Sequence, residues 1–197
     1  METRHAILLL TCWHLLLFRH FYFQNPYVYA RSEALEQGFA SSRLLGDSLR
    51  HGRLVDDTYY YPDYRALPFL STYYPPHALQ AWVGSWLTLD QAWRLYSFTM
   101  VLHFLAASVS VYILAISMGF APLPAGFASI TLSSLGYAMK QNSCIIYTLA
   151  WVPSVLLLAS QHSMTLTGIS LGLMLLAGYW PIALYAVPLA CGLWLLH

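Results

Sequence analysis

Residues 141–197 read QNSCIIYTLAWVPSVLLLASQHSMTLTGISLGLMLLAGYWPIALYAVPLACGLWLLH. The stretch contains no Asp, Glu, Lys or Arg, and Lys140 is the last formally charged residue of the chain. Apart from His162 and His197, nothing in it titrates near neutral pH. A soluble surface needs charges of both signs to stay dispersed. A bilayer core needs none, and a charge placed at its centre costs about 3 kcal/mol. The pattern predicts membrane helices over 143–161, 164–179 and 181–196. Pro153, Pro181 and Pro188 lie within or at the start of these helices. Membrane helices tolerate such prolines where neighbours re-satisfy the backbone. The chain ends at Trp194-Leu195-Leu196-His197 inside an apolar run with no polar flank, so a truncated reading frame or a fragment is expected.

The rest of the chain extends this picture. Only 9% of all residues are charged, against about 25% in an ordinary soluble domain, too few to solvate a surface. The net charge is +1 and no run of like charge occurs, so nucleic acid is not an expected partner. Cys12, Cys144 and Cys191 each sit in an apolar stretch at spacings that suggest neither a metal site nor a redox pair. They are expected to be buried, inert thiols.

Toward the N-terminus, Ala6 to Phe18 is apolar, and Phe21, Tyr22, Phe23, Tyr27 and Tyr29 form an aromatic cluster behind it. Arg4 ahead of a short apolar core also fits a signal peptide. No small-x-small cleavage site follows promptly, and the aromatic cluster resembles an interfacial belt. A first membrane helix over about 5–23 is the preferred reading. Residues 24–68 are the polar part of the chain. Leu35, Phe39, Leu44, Leu45 and Leu49 fall near one helical face, and Gly52 is a stop signal, so residues 33–51 are predicted to form an amphipathic helix. The aromatic segment 55–65 reads as an ordered loop. Pro75-Pro76 breaks the chain, and the segment 77–89 that follows is too short to span a ~30 Å core. It is predicted to be interfacial or re-entrant. Asp90 is the expected N-cap of a long helix over 91–118 that ends at Gly119 and Pro122-x-Pro124, and a further helix covers 124–138.

Candidate chemistry lies in the polar segment. Asp56 and Asp57 are adjacent carboxylates, suited to a divalent cation such as Mg2+ or Mn2+, and such an ion can clamp a phosphate leaving group. A lone carboxylate can serve instead as general base toward a hydroxyl. A solvated turn explains the same pair. Arg50, His51 and Arg53 surround the expected helix end, and guanidinium groups suit bidentate phosphate binding. A plain cationic patch at a membrane surface uses the same residues. His103 falls mid-helix, where a polar side chain faces the bundle interior and marks function or a helix-to-helix hydrogen bond. Trp82, Trp86, Trp93, Trp151 and Trp180 can stack on sugars or anchor the chain at an interface.

Several segments taken in order resemble a known family. Leu49-Arg50-His51-Gly52, the aromatic loop and Tyr73-Tyr74-Pro75-Pro76 resemble the first loop of bacterial YfhO-type membrane proteins. These belong to the GT-C class of glycosyltransferases that use polyprenyl-phosphate sugars. Leu102-His103-Phe104-Leu105-Ala106 resembles their "LHxxLA" helix. Tyr112 through Met118-Gly119-Phe120, Ser134-Leu135-Gly136, Ala150-Trp151-Val152-Pro153, and Ala177-Gly178-Tyr179-Trp180-Pro181 with Tyr185 resemble later segments. The likeness covers roughly residues 45–190. The family's usual Asp after the first helix is replaced by Arg31-Ser32-Glu33, and its Trp-Asn-Pro by Val55-Asp56-Asp57. Family chains are also much longer.

The resemblance implies an all-α, GT-C-like polytopic membrane helix bundle. In this reading residues 1–23 are the first transmembrane helix, 24–89 an extracytoplasmic loop with amphipathic and re-entrant helices, and 90–197 an incomplete bundle. It implies a multi-pass protein of the bacterial inner membrane that transfers a sugar from a polyprenyl-phosphate donor to an extracytoplasmic acceptor. Glu33 and Asp57 take the catalytic positions. Arg50, His51, Arg53, Tyr60 and Trp82 bind substrate, and Asp56, Asp57 and Asp63 hold the divalent cation. The bilayer and a second membrane polypeptide are the expected partners. Arg31, Arg43, Arg50, Arg53 and Arg65 in the loop oppose an extracytoplasmic placement by the positive-inside rule. A transporter or flippase component is an alternative, since helices broken by proline are also transporter features. A structural subunit or an inactive remnant is another.

Overall fold

The computed structural model describes residues 3–19, 38–52, 74–134 and 143–196. These residues are all-helical, with no strand among them. The helices are α1 (Thr3–Leu17), α2 (Ala40–Arg50), α3 (Pro75–Gly84), α4 (Leu89–Ser117), α5 (Pro122–Ser134), α6 (Ser143–Ser160), α7 (Met164–Leu176) and α8 (Trp180–Leu196). Two of them organise the rest. Helix α4 packs against α1, α3, α5 and α6, and α6 in turn carries α7 and α8. Helix α2 lies on α3.

Only α4, among the described residues, is long and apolar enough to cross a membrane by length and composition. Its 29 residues extend over roughly 43 Å at 1.5 Å per residue. The other apolar helices are shorter. Where α4 starts, the sequence expectation needs correction. Thr88, not Asp90, is the N-cap: its hydroxyl accepts from the Gln91 amide at 3.4 Å, and its own amide donates to Gln91 Oε1 at 3.2 Å. This reciprocal capping box satisfies two otherwise orphaned N–H groups. Asp90 falls within the first turn and pairs with Arg94 at 2.9 Å. The other end behaves as expected. Gly119 adopts φ +85°, its amide donates to Ile116 O, and the Phe120 amide donates to Ala115 O. That Schellman closure needs a left-handed residue, which glycine supplies without a Cβ clash.

Helix α3 begins two residues earlier than the sequence suggests. Pro75 and Pro76 occupy its first positions, where a proline's missing N–H removes no helical bond. The prolines therefore start the helix as well as break the chain. Helix α2 turns Ser42, Leu45 and Gly46 inward, while Leu49 is exposed. Its inward face is thus set by close approach to α3 more than by its leucines. A Cβ added to Gly46 would lie 2.1 Å from the Ala81 carbonyl oxygen.

Among the described residues, three apolar clusters fill the interior. One gathers Phe39, Trp93, Tyr96, Phe104 and Tyr147 around the upper part of α4. A second joins Val155, Met174 and Ala186 between α6, α7 and α8. A third sets Ala6 and Leu10 of α1 against Tyr112 and Ala125. Cys12 and Cys191 are exposed, contrary to expectation. An apolar stretch reports the helix as a whole, not which way one residue of it faces. Trp93 packs edge-on against Phe39 at 5.2 Å and is buried rather than interfacial.

The Gly46 contact gives a direct test. Gly46→Ala should force α2 off α3 and destabilise the protein by about 1–3 kcal/mol, the usual range for overpacking. Gly168→Ala, where nothing lies within 4 Å, should be neutral or stabilising, because alanine favours helix by about 1 kcal/mol over glycine. Thermal melts of the two variants under identical conditions would read the contrast. Equal melting temperatures would refute the close approach.

Candidate functional site

Among the described residues, a group of polar and aromatic side chains gathers where α3, α4 and α6 meet. Tyr74 is the N-cap of α3 and is fully buried. His77 follows one turn later and is also buried. His103 sits midway along α4. Tyr147 and Trp151 stand one turn apart on α6, which places both on the face turned to α4.

Three of these residues, Trp151, Tyr74 and His103, form a directed hydrogen-bond chain. Trp151 Nε1 donates to the Tyr74 phenol oxygen at 2.8 Å. The Tyr74 hydroxyl donates to His103 Nε2. His103 Nδ1 donates to the Thr99 carbonyl at 2.7 Å. A carbonyl can only accept, so Nδ1 carries the proton and Nε2 is the acceptor; the network assigns the tautomer. The His103 and Tyr147 rings lie 4.5 Å apart, and Tyr74 is 5.4 Å from Tyr147. His77 closes the group at 5.8 Å from the Tyr147 ring. Burial pushes the Tyr74 phenol up to about 12, against the opposing hydrogen bond from Trp151. It therefore remains a proton donor throughout the physiological range.

Similar bonds tie the other helices. His14 Nδ1 donates to Leu10 O at 2.7 Å, so its Nε2 accepts from the Ser108 hydroxyl at 3.2 Å. The Ser129 hydroxyl donates to the Ser108 carbonyl. Ser110 and Ser154 share a hydrogen bond of 2.9 Å between α4 and α6. The Tyr179 amide donates to Thr148 Oγ1 at 3.1 Å and fixes the α7–α8 turn to α6. An apolar cavity of about 400 Å³ opens between α7, α8 and the end of α6, lined by Ala159, Met164, Thr167, Leu171, Ala190 and Trp194. No charged group lines it.

Of the sequence candidates, Arg50, His51 and Trp82 fall on described residues. Arg50 Nη1 donates to Ser85 O at 3.3 Å, and the guanidinium lies 4.1 Å from the centroid of the Trp86 ring. Arg43 donates to Gly84 O at 2.5 Å. Both arginines thus meet the carbonyl end of α3, where cations offset the helix dipole. His51 caps α2 by donating from Nδ1 to Asp47 O at 2.7 Å. Trp82 is exposed on the face of α3 opposite the buried His77 and Gln80, so it does not join the polar cluster. Glu33, Arg53, Asp56, Asp57, Tyr60 and Asp63 lie outside the described residues. Among the described residues no group of His, Cys, Asp and Glu is placed to hold a metal ion.

Sequence reasoning singled out His103 and expected either a function or a bond between helices; it makes the bond. It missed His14, Ser108, Ser110, Ser129 and Ser154. Their signal was present as polar residues inside apolar runs, but single serines in helices commonly bond their own backbone. Comparisons with known protein families, with characterised proteins and with solved structures find no match to this chain.

The chain of donors predicts coupled energetics. Tyr74→Phe strands both Trp151 Nε1 and His103 Nε2 and should destabilise the protein by about 1–3 kcal/mol. Trp151→Phe added to it should cost less than it does alone, with a coupling of about 0.6 kcal/mol or more. Denaturant titrations of the two single variants and the double variant would measure this. Strict additivity would rule out the chain as an energetic unit.

Proposed function

We propose that the chain is a polytopic membrane protein of GT-C-like type that transfers a sugar from a polyprenyl-phosphate donor to an extracytoplasmic acceptor. One observation carries the reading. Three segments named for the resemblance, Tyr73-Tyr74-Pro75-Pro76, the helix around His103, and Ala150-Trp151-Val152-Pro153, meet through the side chains of Tyr74, His103 and Trp151. Tyr74 and Trp151 are 77 residues apart in sequence. Segments matched separately along the chain thus come together at one place.

Further support is physical. Exposed Leu123, Phe127, Met164, Ile169, Leu184 and Leu195 give α5, α7 and α8 apolar outer faces, and hydrocarbon solvates such faces better than water does. Side-chain hydrogen bonds between helices are the contacts a bilayer rewards. In this reading Glu33 or Asp57 acts as base toward the acceptor hydroxyl. Asp56, Asp57 and Asp63 hold a divalent cation, and Arg53 meets the donor phosphate. Arg50 and His51 are already engaged in holding α2 and α3. A structural membrane subunit is the second reading, favoured by one fact: Tyr74, His103 and Trp151 spend their polar atoms on one another and on Thr99.

Transfer of labelled sugar from a polyprenyl-phosphate donor, measured with the full chain in proteoliposomes, separates the two. Glu33→Gln and Asp57→Asn should each abolish transfer and leave membrane insertion intact. Full transfer by both variants would remove the catalytic assignment. Absence of transfer by the parent chain would leave the structural reading.

A further inference from the structure

Three histidines of this fold share one local geometry and differ in what the second ring nitrogen meets. His14, His51 and His103 each donate from Nδ1 to the carbonyl four residues earlier, of Leu10, Asp47 and Thr99, at 2.7 Å. A carbonyl only accepts, so in all three Nδ1 keeps its proton, and Nε2 presents a lone pair while the ring is neutral. His51 is exposed at the end of α2. A second proton there meets water and the favourable end of the helix dipole. His14 accepts from the Ser108 hydroxyl, which can swing round a single bond and accept instead. His103 has no such freedom. Its Nε2 accepts from the Tyr74 phenol, whose oxygen already accepts from Trp151 Nε1 at 2.8 Å. A phenol hydrogen stays near the plane of its ring, so it cannot turn aside as a serine hydroxyl does.

A proton arriving at His103 Nε2 therefore meets an O–H aimed at it, and that O–H loses its acceptor. The surroundings offer no compensating negative charge among the described residues. Tyr74 and His77 of α3 and Tyr147 of α6 face the ring or one another across it. A charge on His77 repels one on His103. The helices packed on α4, which are α1, α3, α5 and α6, carry no Asp or Glu. The titratable groups of α1 are Arg4, His5, Cys12 and His14, with the cation Arg19 just beyond, and α5 has none. Asp90, in the first turn of α4, is paired with Arg94. The other end of α3 is held without an imidazole: Gly84 packs on Ala92, and Arg43 donates to the Gly84 carbonyl.

We propose that His103 is an acid-sensitive latch: a proton on its Nε2 frees the Tyr74 end of α3 from α4 and α6, while the Gly84 end stays seated. The closed latch accommodates only the neutral ring, and the open one accommodates either form. Opening is therefore independent of pH well above ~6.5, the ordinary value of an exposed imidazole. Below that value the opening constant grows about tenfold for each pH unit, the linkage of one proton. The inference is independent of any transferase activity.

Hydrogen exchange of single amides in the full chain, followed across the imidazole range and corrected for the intrinsic pH dependence of exchange, tests this. The Ala78 amide donates to Tyr74 O at 2.9 Å, and the Ser85 amide to Ala81 O at 3.0 Å. Protection of Ala78 should fall about tenfold per pH unit below ~6.5, and that of Ser85 should hold. The fall should vanish in His103→Gln, whose side-chain amide accepts from Tyr74 without titrating. It should persist in His77→Asn and in His51→Gln. If His103→Gln does not fold, isotopically labelled imidazoles of the parent chain decide. His103 should carry a proton on Nδ1 alone at high pH and gain one on Nε2 in step with the loss of Ala78 protection. Constant Ala78 protection while His103 takes up its proton, or uptake only on loss of the whole fold, would overturn the proposal. So would an equal fall at Ser85, a fall that survives in His103→Gln, or one abolished by His77→Asn.

Discussion

Hydrophobic packing is non-directional, and a bundle of apolar helices held by it alone can slide or rotate at little cost. The polar side chains of α4 remove that freedom. His103 is bonded to Tyr74 at the start of α3, Ser108 to His14 of α1, and Ser110 to Ser154 of α6. Each bond is satisfied only at one register. Ser129 adds a fourth link, from α5 to the Ser108 carbonyl. A buried donor without its partner costs about 1–3 kcal/mol, so sliding any neighbour along α4 breaks a bond that water cannot replace. The order of the bundle depends on these few side chains, and the apolar clusters fill the space they define.

Much of this was legible in the sequence. The helices at 91–118, 143–161, 164–179 and 181–196 were fixed by apolar runs, by Gly119 and by the prolines, and their boundaries fall within a few residues of those observed. Glycine and proline act locally, so their meaning survives without tertiary information. The Thr88 cap was missed because Asp90 is an equally good cap by residue type. The choice between them depends on Gln91 bonding back to the Thr88 amide. The facing of individual residues was also hidden. Ser42 of α2 is buried against Gln80, and Leu49 of the same helix is exposed, because room at the α2–α3 crossing is decided by Gly46 rather than by polarity. At the candidate site, His103 was legible as a polar residue in an apolar span. Tyr74 and Trp151 were named there in other roles, but their bonding to it was not legible, because aromatic residues in this chain also serve as core and as exposed surface.

The arginines illustrate how a local pattern admits two physical uses. Arg43 and Arg50 were grouped with other cations of a polar segment. In the folded chain they close the carbonyl end of α3 and hold α2 against it. A guanidinium has enough donors to cap a helix and still meet an anion, so the structural task does not exclude the second. Pro153 is a comparable case. It is buried within α6 and lacks the N–H of a regular turn, yet it lies two residues from Trp151 and next to Ser154, which join α6 to α3 and α4.

The bond between His14 and Ser108 spans 94 residues of sequence. A ribosome adds about 5–20 residues per second. About 5 to 20 s therefore separate the synthesis of α1 from that of the serine that its imidazole bonds in the folded chain. The first helix of this protein is apolar but carries an acceptor that is satisfied only when the fourth arrives. Docking of α1 on α4 through this bond must therefore await one serine.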